Sequence, residues 1–255
     1  MNGPTVIVAG AEYVRAITAR ASDRRYREAF QRLALRFAPP GQLLFDFGSG
    51  PGIDARFYAA HGRRVAAYDV DPHMNEYFMS HCGDLLAAGS VSLQRGAYPD
   101  FLASAPAAGA RAALVTANFA PLNLIDDLPA LFAKFATLTT PAGAVLASVL
   151  NPYFAGDLQY RWWWRNLGRL VMEGRYAVPG AQALIWRRRL GEYARACAPD
   201  FRLSQVFAGR DLPACSGAGW LRLGACRFMF LLFRKAALAP GACAGNAQPR
   251  VRTVA

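Results

Sequence analysis

The sequence has little of what metal, disulfide or membrane-spanning chemistry needs. Its three histidines, His61, His73 and His81, form no pair at metal-ligand spacing. Its five cysteines, Cys82, Cys197, Cys215, Cys226 and Cys243, match neither a CxxC knuckle nor a compact disulfide framework. Free thiols and no metal are therefore expected. No apolar run approaches the roughly 18 to 20 uncharged residues of a membrane-spanning helix, and the opening stretch carries no basic flank before its short apolar segment. A cytoplasmic location without a secretion signal is the expectation. Lysine is almost missing: Lys134 and Lys235 are the only two among 29 basic residues. Such a bias is also what a codon preference would leave.

What is present is a chain of 255 residues, 54% hydrophobic and 18% charged, enough to bury one large core. The net charge of +12 is uneven: residues 1–160 are balanced, and residues 161–255 hold 16 basic against 4 acidic residues.

Apolar positions at helical spacing (Val14, Ile17, Phe30, Leu33, Phe37) predict helices over residues 11–37, with a break near Ala21, Ser22 and Asp23 and a stop at Pro39 and Pro40. Strands then alternate with helices: strands near 43–47, 65–69, 91–94, 113–118 and 144–150, helices near 53–61, 72–88 and 126–138, and two closing strands near 201–206 and 226–233. Pro141–Gly143 reads as the turn into the fifth strand. The order predicts an α/β fold with a doubly wound, mostly parallel, seven-stranded sheet. It divides the chain into N-terminal helices (1–40), a core (41–150), a helical insertion (151–198), the final strands (199–237) and a disordered tail (238–255).

The informative stretch is Leu44-Phe45-Asp46-Phe47-Gly48-Ser49-Gly50-Pro51-Gly52, followed by a helix and then Val65-Ala66-Ala67-Tyr68-Asp69. Alternate glycines after a strand let the backbone turn sharply and approach a ligand, and amides at the start of the next helix suit an anion. Asp69 ends the following strand, where a carboxylate can accept both hydroxyls of a ribose. A nucleotide-binding dehydrogenase is the competing reading, but the third glycine of a GxGxxG pattern would be at position 53, which is Ile53.

These residues resemble motifs I and II of the class I S-adenosylmethionine-dependent methyltransferases, and Asp69-Val70-Asp71-Pro72-His73-Met74 is similar to the second of them. The resemblance covers roughly residues 40–150. It implies a Rossmann-like methyltransferase fold, S-adenosylmethionine as cofactor, and a site in which Gly48, Ser49, Gly50, Pro51 and Gly52 form the loop. Asp69 and Val70 would meet the ribose side and Met74 the adenine, while Asp46 would orient the loop and help hold the cofactor's amino group. The family's usual aspartate after the third strand is missing from Gln94-Arg95-Gly96-Ala97-Tyr98, so Ala97 and Tyr98 are expected to substitute for it. Asn118, after the fourth strand, is either a site residue beside Phe119 or an ordinary turn asparagine.

For the acceptor side the candidates are Phe119, Tyr153, Tyr160 and Trp163. Asn151-Pro152-Tyr153 resembles a motif of amino-methyltransferases but follows the wrong strand, and reads mainly as a terminating turn. Tyr153 or Asp157 could assist in proton transfer; no residue is assigned as catalytic base. Residues 160–169 place Tyr160, Trp163 and Leu167 on one helical face and Arg161, Arg165 and Arg169 on another. A lid over a small apolar or aromatic acceptor, contact of residues 160–189 with anionic lipid or an acidic carrier protein, and a plain solvated face all remain open. Arg187-Arg188-Arg189 reads as a solvated helix face, so nucleic acid is not the favoured partner, and methylation of RNA stands as the alternative to a small acceptor. A binding module without turnover is the non-enzymatic alternative.

Overall fold

The computed structural model describes residues 20–106, 111–180, 183–209, 214–215 and 222–236. The helix expected before residue 20 and the tail expected from 238 lie outside them, as does Cys243.

The elements are α1 (Ala21–Phe37), β1 (Leu43–Phe47), α2 (Ile53–Ala60), β2 (Arg64–Asp69), α3 (Pro72–His81), α4 (Gly83–Ala87), β3 (Val91–Arg95), α5 (Tyr98–Ala103), β4 (Ala112–Ala117), α6 (Leu128–Leu138), β5 (Thr139–Leu150), α7 (Arg161–Met172), β6 (Arg175–Pro179), β7 (Leu184–Arg188), α8 (Leu190–Ala196), β8 (Phe201–Ala208) and β9 (Phe228–Lys235). One sheet has seven strands in the order β3-β2-β1-β4-β5-β9-β8, parallel except where β9 pairs antiparallel with β5 and β8. The order reverses between β1 and β4, and the strand ends there open a crevice suited to a ligand.

Period-two alternation decides which face of the sheet each side chain joins. In β9, Met229, Leu231 and Phe233 pack with α6 residues Phe132 and Phe135, whereas Phe228, Phe230 and Leu232 pack with α1 residues Phe30 and Leu33. In β1, Phe45 and Phe47 join the first face and Leu44 the second. Asp46 thereby points to the α1 and α2 side.

Three elements differ from the sequence reading. The single helix expected over 72–88 breaks at Cys82, whose backbone leaves the helical region at φ −111°. The six-residue α5 was missed, being too short to show a helical period. Residues Pro141–Gly143 are not a turn ahead of the fifth strand but a bulge inside it, since Ala112 pairs with Thr139 and Leu114 already with Ala144.

The insertion is not wholly helical either. After a 3-10 turn (Ala155–Asp157) and α7, β6 and β7 form an antiparallel hairpin of their own. β7 overturns the reading of Arg187 and Arg188 as solvated: both are buried, Arg188 to 1% exposure. Arg187 pairs with buried Asp157 at 3.4 Å and donates to the Asn151 carbonyl at 2.9 Å. Burial of a guanidinium calls for acceptors at its edges; the Asn151 carbonyl and the Asp157 carboxylate supply them at the terminal nitrogens of Arg187, and its Nε has no partner among the described residues.

Candidate active site

The loop between β1 and α2 is held open by three residues with positive φ: Gly48 at 69°, Gly50 at 53° and Gly52 at 81°. The first two are glycine for different reasons. A Cβ on Gly48 would lie 2.7 Å from the Pro121 Cβ, so the loop sits too close to the segment after β4 for any side chain. A Cβ on Gly50 would meet nothing within 4 Å, so only the left-handed backbone demands glycine there. Gly48→Ala is thus expected to destabilise the fold by about 2–3 kcal/mol, from clash plus strain. Gly50→Ala should cost only about 1 kcal/mol while placing a methyl on the open side of the loop. Thermal unfolding of the two variants, beside ligand titration of the second, checks the contrast.

The loop amides do not face the crevice as the sequence reading expected. Gly48 and Ser49 donate to the Tyr68 carbonyl at 2.8 and 3.1 Å, and Gly52 donates to the Ser49 carbonyl at 3.2 Å. Gly50 donates to Asp69 Oδ2 at 2.7 Å. The Tyr68 carbonyl captures two of these donors, the Asp69 side chain a third and the loop's own Ser49 carbonyl the fourth, leaving other groups to recognise a ligand.

Asp69 is the hinge of this arrangement. Its other oxygen accepts from the Asp71 amide at 2.9 Å, and each oxygen keeps a second lone pair for a hydroxyl. Burial pushes its carboxyl above the usual range, while the Asp71 and Gly50 amides pull it back. Asp71 caps α3 through the His73 and Met74 amides, which sets Met74 beneath Asp69.

A cavity of about 280 Å³ lies over this loop. Among its lining residues are Gly48, Ser49, Gly50, Pro51, Asp69, Val70, Met74, Tyr98, Asn118 and Phe119, ten of the positions read from the sequence. Asp46, Gly52 and Ala97 are not in the lining. Asp46 lies behind it, Gly52 starts α2 against Phe78 and Cys82, and Ala97 lines a neighbouring hollow shared with Val70.

Tyr153, Tyr160 and Trp163 are not in the lining either, which corrects the expectation of an aromatic lid. The Asn151 side chain donates to the Leu223 and Cys226 carbonyls, fastening the end of β5 towards β9. Trp163 instead donates to the Pro152 carbonyl at 3.0 Å, Tyr160 stacks near Trp162, and Tyr153 is 44% exposed. Asp157 is tied to Arg187 and is not among the residues that line this cavity. The wall facing Asp69 comes from Phe119 and the short helix Pro121–Leu124, with Ile125 after it.

The sequence reading missed a buried polar cluster on the α1 side. Asp54 accepts from Arg27 Nη1 at 2.9 Å, Gln31 Nε2 at 2.7 Å and Asn118 Nδ2 at 2.9 Å. Arg27 lies over the Phe119 ring at 4.4 Å and reaches the cavity. Asn118 is therefore more than a turn residue, although its oxygen also accepts from the Phe119 amide. Arginine in an arginine-rich helix carries no local sign of such a role.

Asp46 accepts from Thr116 Oγ1 at 2.7 Å, and its second oxygen has no partner among the described residues. Burial, and next the charge of Asp54, raise its pKa to about 7. The folded state therefore holds this proton more tightly than the unfolded one. Its contribution to stability is full below the ordinary carboxylate range and is lost as pH rises towards 7. Asp46→Asn should gain on the wild type through that window, by up to about 3 kcal/mol, and hold its gain above it. Unfolding midpoints of both proteins from pH 5 to pH 8 measure this; parallel curves would contradict it.

Whether these residues suit a cofactor can be asked of the unsatisfied groups. Asp46 Oδ2, Ser49 Oγ and the Tyr98 hydroxyl are buried at or beneath the crevice without hydrogen-bond partners among the described residues. Buried polar atoms seldom remain so. With the Asp69 carboxylate, the Arg27 guanidinium and the apolar Val70 and Met74, the set matches a zwitterionic nucleoside.

The family described as "Methyltransferase domain" matches residues 18–213, well over half of the chain. No curated protein matches the sequence directly. Solved structures similar in fold include the CcbJ methyltransferase from Streptomyces caelestis (15% identity, 83% of this chain and 90% of that one, TM-score 0.58). A TehB-like methyltransferase from Corynebacterium glutamicum is similar over 89% of this chain and 96% of its own (15% identity, TM-score 0.58). So is geranyl diphosphate C-methyltransferase from Streptomyces coelicolor A3(2) (16% identity, 89% and 86%, TM-score 0.58), solved with geranyl diphosphate and S-adenosyl-L-homocysteine. With its glycine loop, the carboxylate at the end of β2, the reversed strand order and the family match across them, this chain belongs to the class I S-adenosylmethionine-dependent methyltransferases.

Proposed function

We propose that the crevice binds S-adenosylmethionine and that the acceptor is a small, apolar or aromatic metabolite. When bound, the cofactor supplies an electrophilic methyl group on a sulfonium. The chain's task is then to orient both partners and exclude water. Asp69 accepts the ribose hydroxyls, Val70 and Met74 pack on the base, and Arg27, held by Asp54, meets the methionine carboxylate. Asp46, whose carboxyl is raised towards neutrality, would add negative charge from beneath where the cofactor's cationic groups draw off its proton.

The observation that carries the acceptor class is the wall facing Asp69, built from Phe119, Pro121, Leu124 and Ile125. Among the described residues no histidine, lysine or cysteine lines the cavity. The Tyr98 hydroxyl is pushed above its usual range, chiefly by burial, so it holds its proton at neutral pH. That favours a proximity mechanism in which an acceptor arrives as a competent nucleophile. A solved structure of the same fold, geranyl diphosphate C-methyltransferase, is named for a small prenyl acceptor.

Incubation with methyl-labelled cofactor and cell extract tests the reading. Label is expected in the low-mass organic phase. Label in RNA or protein would overturn the acceptor class, and no cofactor uptake by calorimetry would overturn the cofactor assignment.

A further inference from the structure

The outward face of α7 is left uncovered by the described residues. Its inward arc is covered: Leu170 is buried, and Trp162 and Trp163 are half-buried. The apolar arc runs on past that cover, for Trp164 is 58% exposed and Val171 56%, both on the flank next to Leu167. Met172, at the end of the helix, is 83% exposed. On the opposite flank stand Arg161, Arg165 and Arg169, at four-residue spacing and exposed. None pairs with a carboxylate among the described residues. The helix contains no acidic residue; Glu173 follows as its C-cap.

We propose that this face rests on an anionic lipid surface. The charge is complementary, and residues 161–255 carry the whole of the chain's basic excess. An apolar flank beside arginines on long stems is the form in which a helix lies in a membrane interface, with the stems along the apolar boundary and the guanidinium groups among the headgroups. A fluid surface can take up the protruding Trp164 indole, where a shaped protein partner would need a matching pocket for it. α7 follows the carboxyl end of β5, the end of the sheet at which the crevice opens. Among the described residues no helix is long and apolar enough to cross a membrane, so contact is peripheral.

The test uses the full chain and sedimentation with phosphatidylcholine vesicles, alone or with about one third phosphatidylglycerol. Binding is expected only to the mixed vesicles, weakening at least about tenfold in molar salt, since screening acts on exposed charges. Brominated lipid should quench tryptophan fluorescence in the wild type and much less in Trp164→Ser. The triple variant Arg161→Glu, Arg165→Glu, Arg169→Glu should lose binding at least about tenfold while its cofactor titration is unchanged. If that variant fails to fold, Trp164→Ser with Met172→Ser, which keeps every charge, should still weaken vesicle binding. No binding to mixed vesicles at low salt would overturn the proposal, as would binding that the variants leave within twofold. Equal retention on soluble dextran sulfate without bromolipid quenching would also overturn it, assigning the face to an acidic macromolecule. Cofactor uptake is read separately, so failure here leaves the methyltransferase reading standing.

Discussion

Asp69→Ala should raise the dissociation constant for S-adenosylmethionine by about 100-fold or more, as read by titration calorimetry. Two losses combine. The ribose hydroxyls lose a charged acceptor, each such bond being worth about 1.5–3 kcal/mol. The Gly50 amide also loses the oxygen that it reaches at 2.7 Å, which unties the loop from β2. Asp69→Asn separates the two in part, because its one carbonyl oxygen can still serve the Gly50 amide and one hydroxyl, whereas its NH2 would face the Asp71 amide, donor against donor. Its affinity should fall between those of the wild type and the alanine variant. Asp69→Ala binding within threefold of wild type would remove the ribose assignment.

Arg188→Met should lower the unfolding midpoint by roughly 6–12 °C, the shift expected for about 3 kcal/mol in a chain of this size. The guanidinium donates to the Leu122 and Asp126 carbonyls, both at 3.2 Å, and to that of Ile125. Methionine fills much of the volume but takes the donor from the buried Leu122 carbonyl and the part-buried Ile125 carbonyl, while that of Asp126 keeps the Leu128 amide. Arg188→Lys keeps the charge and loses the fork, so it should recover only part of the stability. These carbonyls belong to the segment that lines the cavity opposite the loop, the proposed acceptor side, and Asn123 in the same segment donates to the Trp186 carbonyl. Surviving protein should therefore show a raised acceptor KM with cofactor affinity little changed. A midpoint within 2 °C of wild type would mean that the clamp contributes little.

The fold was legible because its signals are local. Strand-glycine-helix order, a carboxylate at the end of the second strand and alternating apolar runs are properties of neighbouring residues, and period-two alternation predicts burial without any distant partner. The loop positions and Asp69 line the cavity for the same reason. Asn118 and Phe119 needed only the end of β4.

The remainder depended on contacts between residues far apart in the chain. Arg27 and Asp54 stand 27 positions apart and meet because α1 packs beside α2. Neither differs in sequence from the charges around it. Arg187 and Arg188 look like a solvated run until a hairpin places them against carbonyls more than thirty residues away.

By itself, then, the sequence determined the parallel core, the ligand loop and the acid facing it, since each follows from backbone geometry over a few neighbouring residues. Only the tertiary structure decided which arginines are buried, that Tyr153, Tyr160 and Trp163 turn away from the crevice, and what forms its acceptor wall. Those outcomes hang on where β9 captures the end of β5, a pairing across some eighty residues that no local pattern encodes.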